Sequence, residues 1–290
     1  MLERGVFCIS IDLELGWGYV DNPSVEHMRL VQRLERPVIS RLLEIFGEYE
    51  IPATWATVGR LLEREAEPSG PSAAHTLEEA WYAPDVVEQI RGARCEQEIG
   101  SHSFGHIIYS KATQAQAAAD LDAAARVHKA HGLDFVSFVF PDNKVNHIGL
   151  LAARGIKVFR SGASTETLSR FGRLGRAVDK FLPTAPGTVQ PIFHDSGLIE
   201  LPGCLPLIGR NGIRRLIAPG IVLHKARCGL DAAANSKSVF HFWFHPHNLY
   251  FGADTQFKLL TAIAAMAAEL RRKHMLHIWP MKRIQEMRAD

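Results

Sequence analysis

Short runs rich in Val, Ile and Phe recur along this chain, each followed by a stretch of helical period, and no other feature limits the fold as strongly. That rhythm is how repeated strand-helix units wind around a largely parallel sheet. "GVFCISID" at 5–12 predicts a first strand. "RPVISRLLEIFGEYE" predicts a helix with Pro37 in its first turn and Val38, Leu42, Ile45 and Phe46 on one stripe. "IPATWATVG" predicts the next strand, "DVVEQIRGA" a short helix, and the alanine-rich, glycine-terminated "TQAQAAADLDAAARVHKAHG" a longer one. Five more strands are expected at "FVSFVFP", "IKVFRSG", "LIELPG", "VFHFWFHP" and "LHIWP", with a long amphipathic helix, "DTQFKLLTAIAAMAAELRRKH", between the last two. About eight strands in a chain this long predict an α/β protein, an irregular (β/α) barrel in a single domain over 1–290. Two segments break the rhythm, 63–84 and the Gly, Pro and Arg-rich 161–235, and both read as loops capping the barrel.

Charge and cysteine usage narrow the function classes. The formal net charge of +2, from 33 Lys and Arg against 31 Asp and Glu, gives no field that would make nucleic acid the main partner. No uninterrupted apolar run approaches the ~20 residues of a membrane span, and "MLERGVFCISID" lacks the pattern of a secretory signal. Cys8, Cys95, Cys204 and Cys228 are widely spaced, which predicts reduced thiols. These features point to the cytoplasm.

The residues that carry chemistry collect at predicted strand ends, where a barrel builds its active site. In "SIDLELGWG", Asp12 and Glu14 are two apart, so an extended strand would turn both carboxylates to one side. A solvent-facing strand edge has the same pattern, but the preceding "VFCIS" reads as buried. In "EIGSHSFGH" at 98–106, His102 and His106 would project together if the strand ran into one helical turn, a spacing that lets two imidazoles grip one metal ion. Structural histidine pairs share that spacing. Two histidines plus one carboxylate leave an open position for water on a divalent ion, an arrangement suited to hydrolysis. In "HFWFHPHNL", alternation sets His241, Trp243 and His245 on one strand face, turning at least one towards the barrel mouth.

"SIDLELGWG", "ATWATVG", "EIGSHSFGH", "SFVFPDNKVN", "IELPG" and "HFWFHPHNL" together resemble the polysaccharide deacetylase family, the carbohydrate esterases with a NodB homology domain. "HSFGH" is the most specific of these segments. The resemblance implies an irregular (β/α) barrel of the NodB type and metal-dependent hydrolysis of an amide. It also implies roles: Asp12 as general base, Glu14, His102 and His106 as metal ligands, and His245 as general acid that protonates the leaving amine. The ion implied is divalent, zinc first, with cobalt or nickel as alternatives. Two departures stand out. Leu13 separates the carboxylates that are adjacent in the usual opening motif, and "FVFPDNKVN" has Val139 and Asp142 where the family carries an arginine that holds the base. Lys144, Arg160 and Arg210 are the candidates to replace it.

The substrate implied is an N-acetylated amino sugar, nucleotide- or lipid-linked, in surface polysaccharide or O-antigen synthesis. The basic, partly amphipathic run "GRNGIRRLIAPGIVLHKAR" at 209–227 is a candidate for peripheral membrane contact, although such runs are ordinarily solvated faces. Two other readings remain: hydrolysis of a small non-sugar amide or cyclic imide, and a carbohydrate-binding relative without turnover.

Overall fold

A computed structural model describes residues 3–63, 77–162, 179 and 181–288. Its strands are β1 (Gly5–Leu13), β2 (Thr54–Thr57), β3 (Glu98–Ser101), β4 (Ser137–Val139) and β5 (Val158–Ser161). They continue as β6 (Ile192–Phe193), β7 (Ile199–Pro202), β8 (Leu205–Pro206), β9 (Val239–Phe244) and β10 (Leu276–Ile278). One sheet joins them in the order β6-β7-β5-β4-β3-β2-β1-β9-β8, with β10 beside β1. Every pairing is parallel except β6 with β7. This is the α/β class that the alternation predicts, a curled, mostly parallel half-barrel.

β1 organises the molecule. All of its residues are buried, as expected of a parallel strand covered on both faces. One edge pairs with β9 from Val6 to Ile11, and the other is shared between β10 at Gly5–Phe7 and β2 at Ser10–Leu13. Strands running the same way deliver their C-terminal ends to one rim, and the loops after β1, β3, β4 and β9 meet there.

The helices are α1 (Val25–Tyr49), α2 (Pro84–Arg91), α3 (Gln114–Ala130), α4 (Ile148–Ala152), α5 (Pro219–Ser236) and α6 (Ala253–Arg272). α1 corrects the expectation for Pro37, which lies inside the helix and not in its first turn. Ser24 caps the helix, its hydroxyl accepting from the His27 N–H, and the buried stripe already begins at Met28 and Val31. Pro37 is tolerated because it and Arg33, whose carbonyl loses its helical donor, are on the exposed side. α3 has a capping box between Thr113 and Gln116.

The segment 161–235 is more regular than a capping loop. Within its described residues are β6, the expected strand β7, β8 and the whole of α5 except its last residue. Gly, Pro and Arg obscured the helical period, but Pro219 starts α5 and Ala226, Leu230 and Ala233 give it a buried stripe. α5 presses close on β1: a Cβ at Gly5 would stand 2.3 Å from the Ala233 carbonyl oxygen. Of 63–84, residues 64–76 lie outside the described residues, and the remainder holds a 3-10 turn, Glu78–Ala80, and the first residue of α2. No helix among the described residues is long and apolar enough to cross a membrane.

Candidate metal centre and active site

The rim encloses a cavity of about 380 Å³, within the size range of small-ligand sites, lined by Asp12, Glu14, Tyr19, His106, Trp243 and His245 among others. Asp12 is the penultimate residue of β1, and Glu14 follows the strand as the N-cap of a 3-10 turn, Leu15–Tyr19. Both carboxylates reach the same cavity, although only Asp12 is on the extended strand and Glu14 has already left it. Gly18 makes room for the longer one, since a Cβ there would fall 2.1 Å from Glu14 Oε2.

Glu14 Oε1 is the focus of three imidazoles: His102 Nε2 at 3.0 Å, His106 Nε2 at 3.1 Å and His245 Nε2 at 3.2 Å. His102 is held from behind, its Nδ1–H donating to the Val139 carbonyl at 2.8 Å. A carbonyl only accepts, so in the neutral ring Nε2 bears a lone pair that faces a carboxylate oxygen. Two acceptors at that distance need a cation or a proton between them. The donor set suits a divalent metal: ligand atoms of Glu14, His102 and His106 lie within 4.8 Å of one another, as do those of Asp12, Glu14 and His245. A histidine anchored through its second nitrogen is the usual support for such a ligand.

The structure brings His102 and His106 together by a route different from the predicted helical turn. β3 ends at Ser101, and the loop turns through the left-handed region at Ser103 (φ 67°) and His106 (φ 56°). Asp120 on α3 holds this loop, its two oxygens accepting from the Phe104 N–H at 3.0 Å and the Gly105 N–H at 2.9 Å. The Tyr109 hydroxyl donates to the same carboxylate at 2.8 Å, and Ser103 Oγ accepts from the His106 N–H. Asp120 was missed in the sequence, although a lone acid three residues from Ala117, on the buried stripe of α3, was a signal.

Arg160 of β5 takes up Asp12. Its Nη1 and Nη2 lie 2.7 and 2.6 Å from the two carboxylate oxygens, and Nη1 also donates to Ser10 Oγ. Asn143 Oδ1 accepts from Nε, and the guanidinium lies over the Trp243 ring at 4.6 Å. Of the three candidates for the missing arginine, Lys144 lines the outer cavity and Arg210 donates to the carbonyls of Ile217 and Arg215. Of the three, Arg160 is the one that pairs with Asp12. An arginine within the apolar "IKVFRSG" run was the available sign. Beneath it, Ser10 Oγ meets His241 Nε2 at 2.8 Å. Arg160 already donates to Ser10, so the hydroxyl proton points to His241. Thus Trp243 and His245 face the cavity, while His241 is buried below it.

Burial opposes charge on both carboxyls, yet Arg160, His245 and His102 hold Asp12 below its ordinary range. His245 and His106 outweigh burial at Glu14 and hold it well below its own. Burial would lower His245, but Glu14 and then Asp12 raise it to about 9. Next to it, stacked 4.6 Å away, His247 is pushed down to about 3 by burial and by the His245 charge. The site therefore sets a protonated imidazole beside ionised carboxylates.

Residues 31–157 match the model of the polysaccharide deacetylase family. No curated sequence relative matches the chain. A Mycobacterium smegmatis structure assigned to the polysaccharide deacetylases shares the fold at TM-score 0.67 and 16% identity, over 98% of this chain and 91% of that one. The Puue allantoinase does so at TM-score 0.66 and 12% identity, over 97% and 89%. A Pseudomonas aeruginosa PAO1 protein, also assigned to the polysaccharide deacetylases, gives the same values. These likenesses establish the fold, and the family match spans both loop histidines.

Proposed function

We propose that the protein is a metal-dependent deacetylase that hydrolyses the N-acetyl group of an amino sugar. The observation that carries this reading is the convergence of His102 Nε2, His106 Nε2 and Glu14 Oε1, with the first ring locked by Val139. These three residues would hold a divalent ion, zinc first among candidates, and the ion when bound supplies Lewis acidity. Asp12 is the base. Arg160 keeps it ionised and turned into the cavity, ready to accept a proton from water. His245, whose affinity for a proton Glu14 and Asp12 raise against burial, donates to the departing amine. The two roles are separable because a guanidinium faces one group and carboxylates face the other.

For the sugar, we favour an intermediate of surface polysaccharide or O-antigen assembly in the cytoplasm, nucleotide- or lipid-linked; the wide sequence spacing of the four cysteines favours a reducing compartment. The fold shared with the Puue allantoinase supports a second reading, hydrolysis of a small cyclic amide. The test is acetate release from a panel of N-acetylated sugars, with cyclic amides alongside, by metal-free and zinc- or cobalt-loaded protein. Metal-dependent acetate release is expected, with Asp12→Asn retaining metal and losing about 10²- to 10⁴-fold in rate. Ring opening without acetate release would transfer the assignment to cyclic amides. Sugar binding without turnover would make the chain a binding protein.

A further inference from the structure

The rim of the cavity extends into a surface that the reaction does not use. After β8, residues 207–210 run beside the loop that follows β9: the Leu207 N–H donates to the Trp243 carbonyl, and Gln256 Nε2 donates to the carbonyls of both Ile208 and Asn248. From this base a 3-10 turn, Gly212–Leu216, projects outward. Ile213 and Leu216 are 71% and 69% exposed, the two most exposed large hydrophobic residues among the described residues. Residues three apart eclipse in a 3-10 turn, so these side chains form one apolar tip. Arg214 and Arg215 lie between them in sequence and are also exposed. Arg210, gripping the carbonyls of Ile217 and Arg215, braces the turn and packs against Gly252. Gly252 adjoins Phe251, a third exposed apolar side chain on the same rim.

Charge is distributed unevenly here. No Asp or Glu occurs between Glu200 and Asp231, whereas Arg210, Arg214, Arg215 and Arg227 all fall within that stretch. The fifth cation, Lys225, is buried against Asp179 at 2.6 Å. In a chain of net charge +2, this is a local cationic field around an apolar tip. Of the neighbouring carboxylates, Asp254 is within 3.8 Å of Arg41, and Asp142 lies across the cavity beside Lys144.

We propose that the Gly212–Leu216 turn docks the protein on an anionic lipid bilayer, with Ile213 and Leu216 entering the interface and Arg214 and Arg215 meeting the headgroups. Apolar tips flanked by arginines match such a surface in both chemistry and charge. Docking there brings the cavity mouth to the membrane, within reach of a sugar carried on lipid. The inference uses no residue of the reaction centre, and its test reads no turnover, so it stands or falls apart from the deacetylase reading.

The experiment is co-sedimentation with phosphatidylcholine vesicles, with and without phosphatidylglycerol, over a range of salt. Wild-type protein is expected to pellet with the anionic vesicles only, and less as salt rises. Reversal in R214E/R215E should weaken partitioning about 25-fold or more, on the order of fivefold for each lost cation. I213S/L216S should weaken it at least ~10-fold through lost apolar contact. Both sites are exposed, so unchanged melting temperatures should show that the variants are folded. Failure of wild type to pellet, equal pelleting on neutral vesicles, or undiminished binding by both variants would overturn the proposal. So would a dimer in vesicle-free solution that I213S/L216S dissociates, because the tip would then be covered by a second copy.

Discussion

Asp12 and Arg160 are 3% and 0% exposed, and neither is tolerable without the other. Removing one partner from a buried ion pair leaves an uncompensated charge, at a cost of roughly 3–5 kcal/mol. Arg160→Met should therefore lower stability by about that much in urea unfolding, and adding Asp12→Asn should restore a substantial part of the loss. A double variant no more stable than Arg160→Met would show that the arginine acts through packing on Trp243. Asp12, Glu14, His102, His106 and His245 were legible as carboxylates and histidines at predicted strand ends, and the roles proposed for them came only through the family resemblance. The arginine was legible only as one of three, since its partner is 148 positions away and no local spacing relates them.

Between a motif and a site stands the conformation of the element that carries it. "HSFGH" shows two imidazoles four residues apart, but it does not reveal that Ser103 and His106 adopt positive φ, because the hydrogen bonds that hold the loop come from α3. Asp120→Ala would leave two amide donors without their acceptor and free the His106 side of the ligand set. Supporting residues of this kind typically govern 10- to 100-fold in metal affinity. A loss in that range is expected from competitive zinc titration of Asp120→Ala, with Asp120→Asn, which keeps one acceptor oxygen, falling between it and wild type. Equal affinity in all three proteins would reduce Asp120 to a stabiliser of α3. The same dependence on partners explains α5. Its helical period is blurred in sequence by residues that are exposed, and only its packing on β1 shows which face is buried.

Across the whole molecule, the strand-helix alternation was enough to read the barrel class and nearly every strand. It was insufficient for the short β6 and β8, which exist by pairing with neighbours rather than by apolar length. Part of the pH dependence of global stability arises far from the cavity. His128, at the end of α3, donates through Nδ1 to the Asp134 carbonyl, and burial pushes it down to about 4. Its unfolded value is near 6.5, so the unfolded chain takes up a proton first as pH falls. The corresponding stability is present above about 6.5 and lost between there and about 4, on the order of 3 kcal/mol in all. Urea midpoints measured across that window should fall less steeply for His128→Gln than for wild type. Parallel slopes would place the acid sensitivity elsewhere.

The central position of β1 also bears on how the protein is made. Its hydrogen-bonding partners span the chain: β2 begins at Thr54, β9 at Val239 and β10 at Leu276. At a synthesis rate of about 5–20 residues per second, the ribosome delivers β9 roughly 10–50 s after β1. Throughout that interval the strand bearing Asp12 lacks a neighbour on the edge that β9 will occupy, and it is an apolar, aggregation-prone segment. Glu14, His102 and His106 are all translated within the first 106 residues, whereas Arg160 and His245 come later. The proposed ligand set is therefore complete on the nascent chain before the residues proposed to hold the base and protonate the amine have been added.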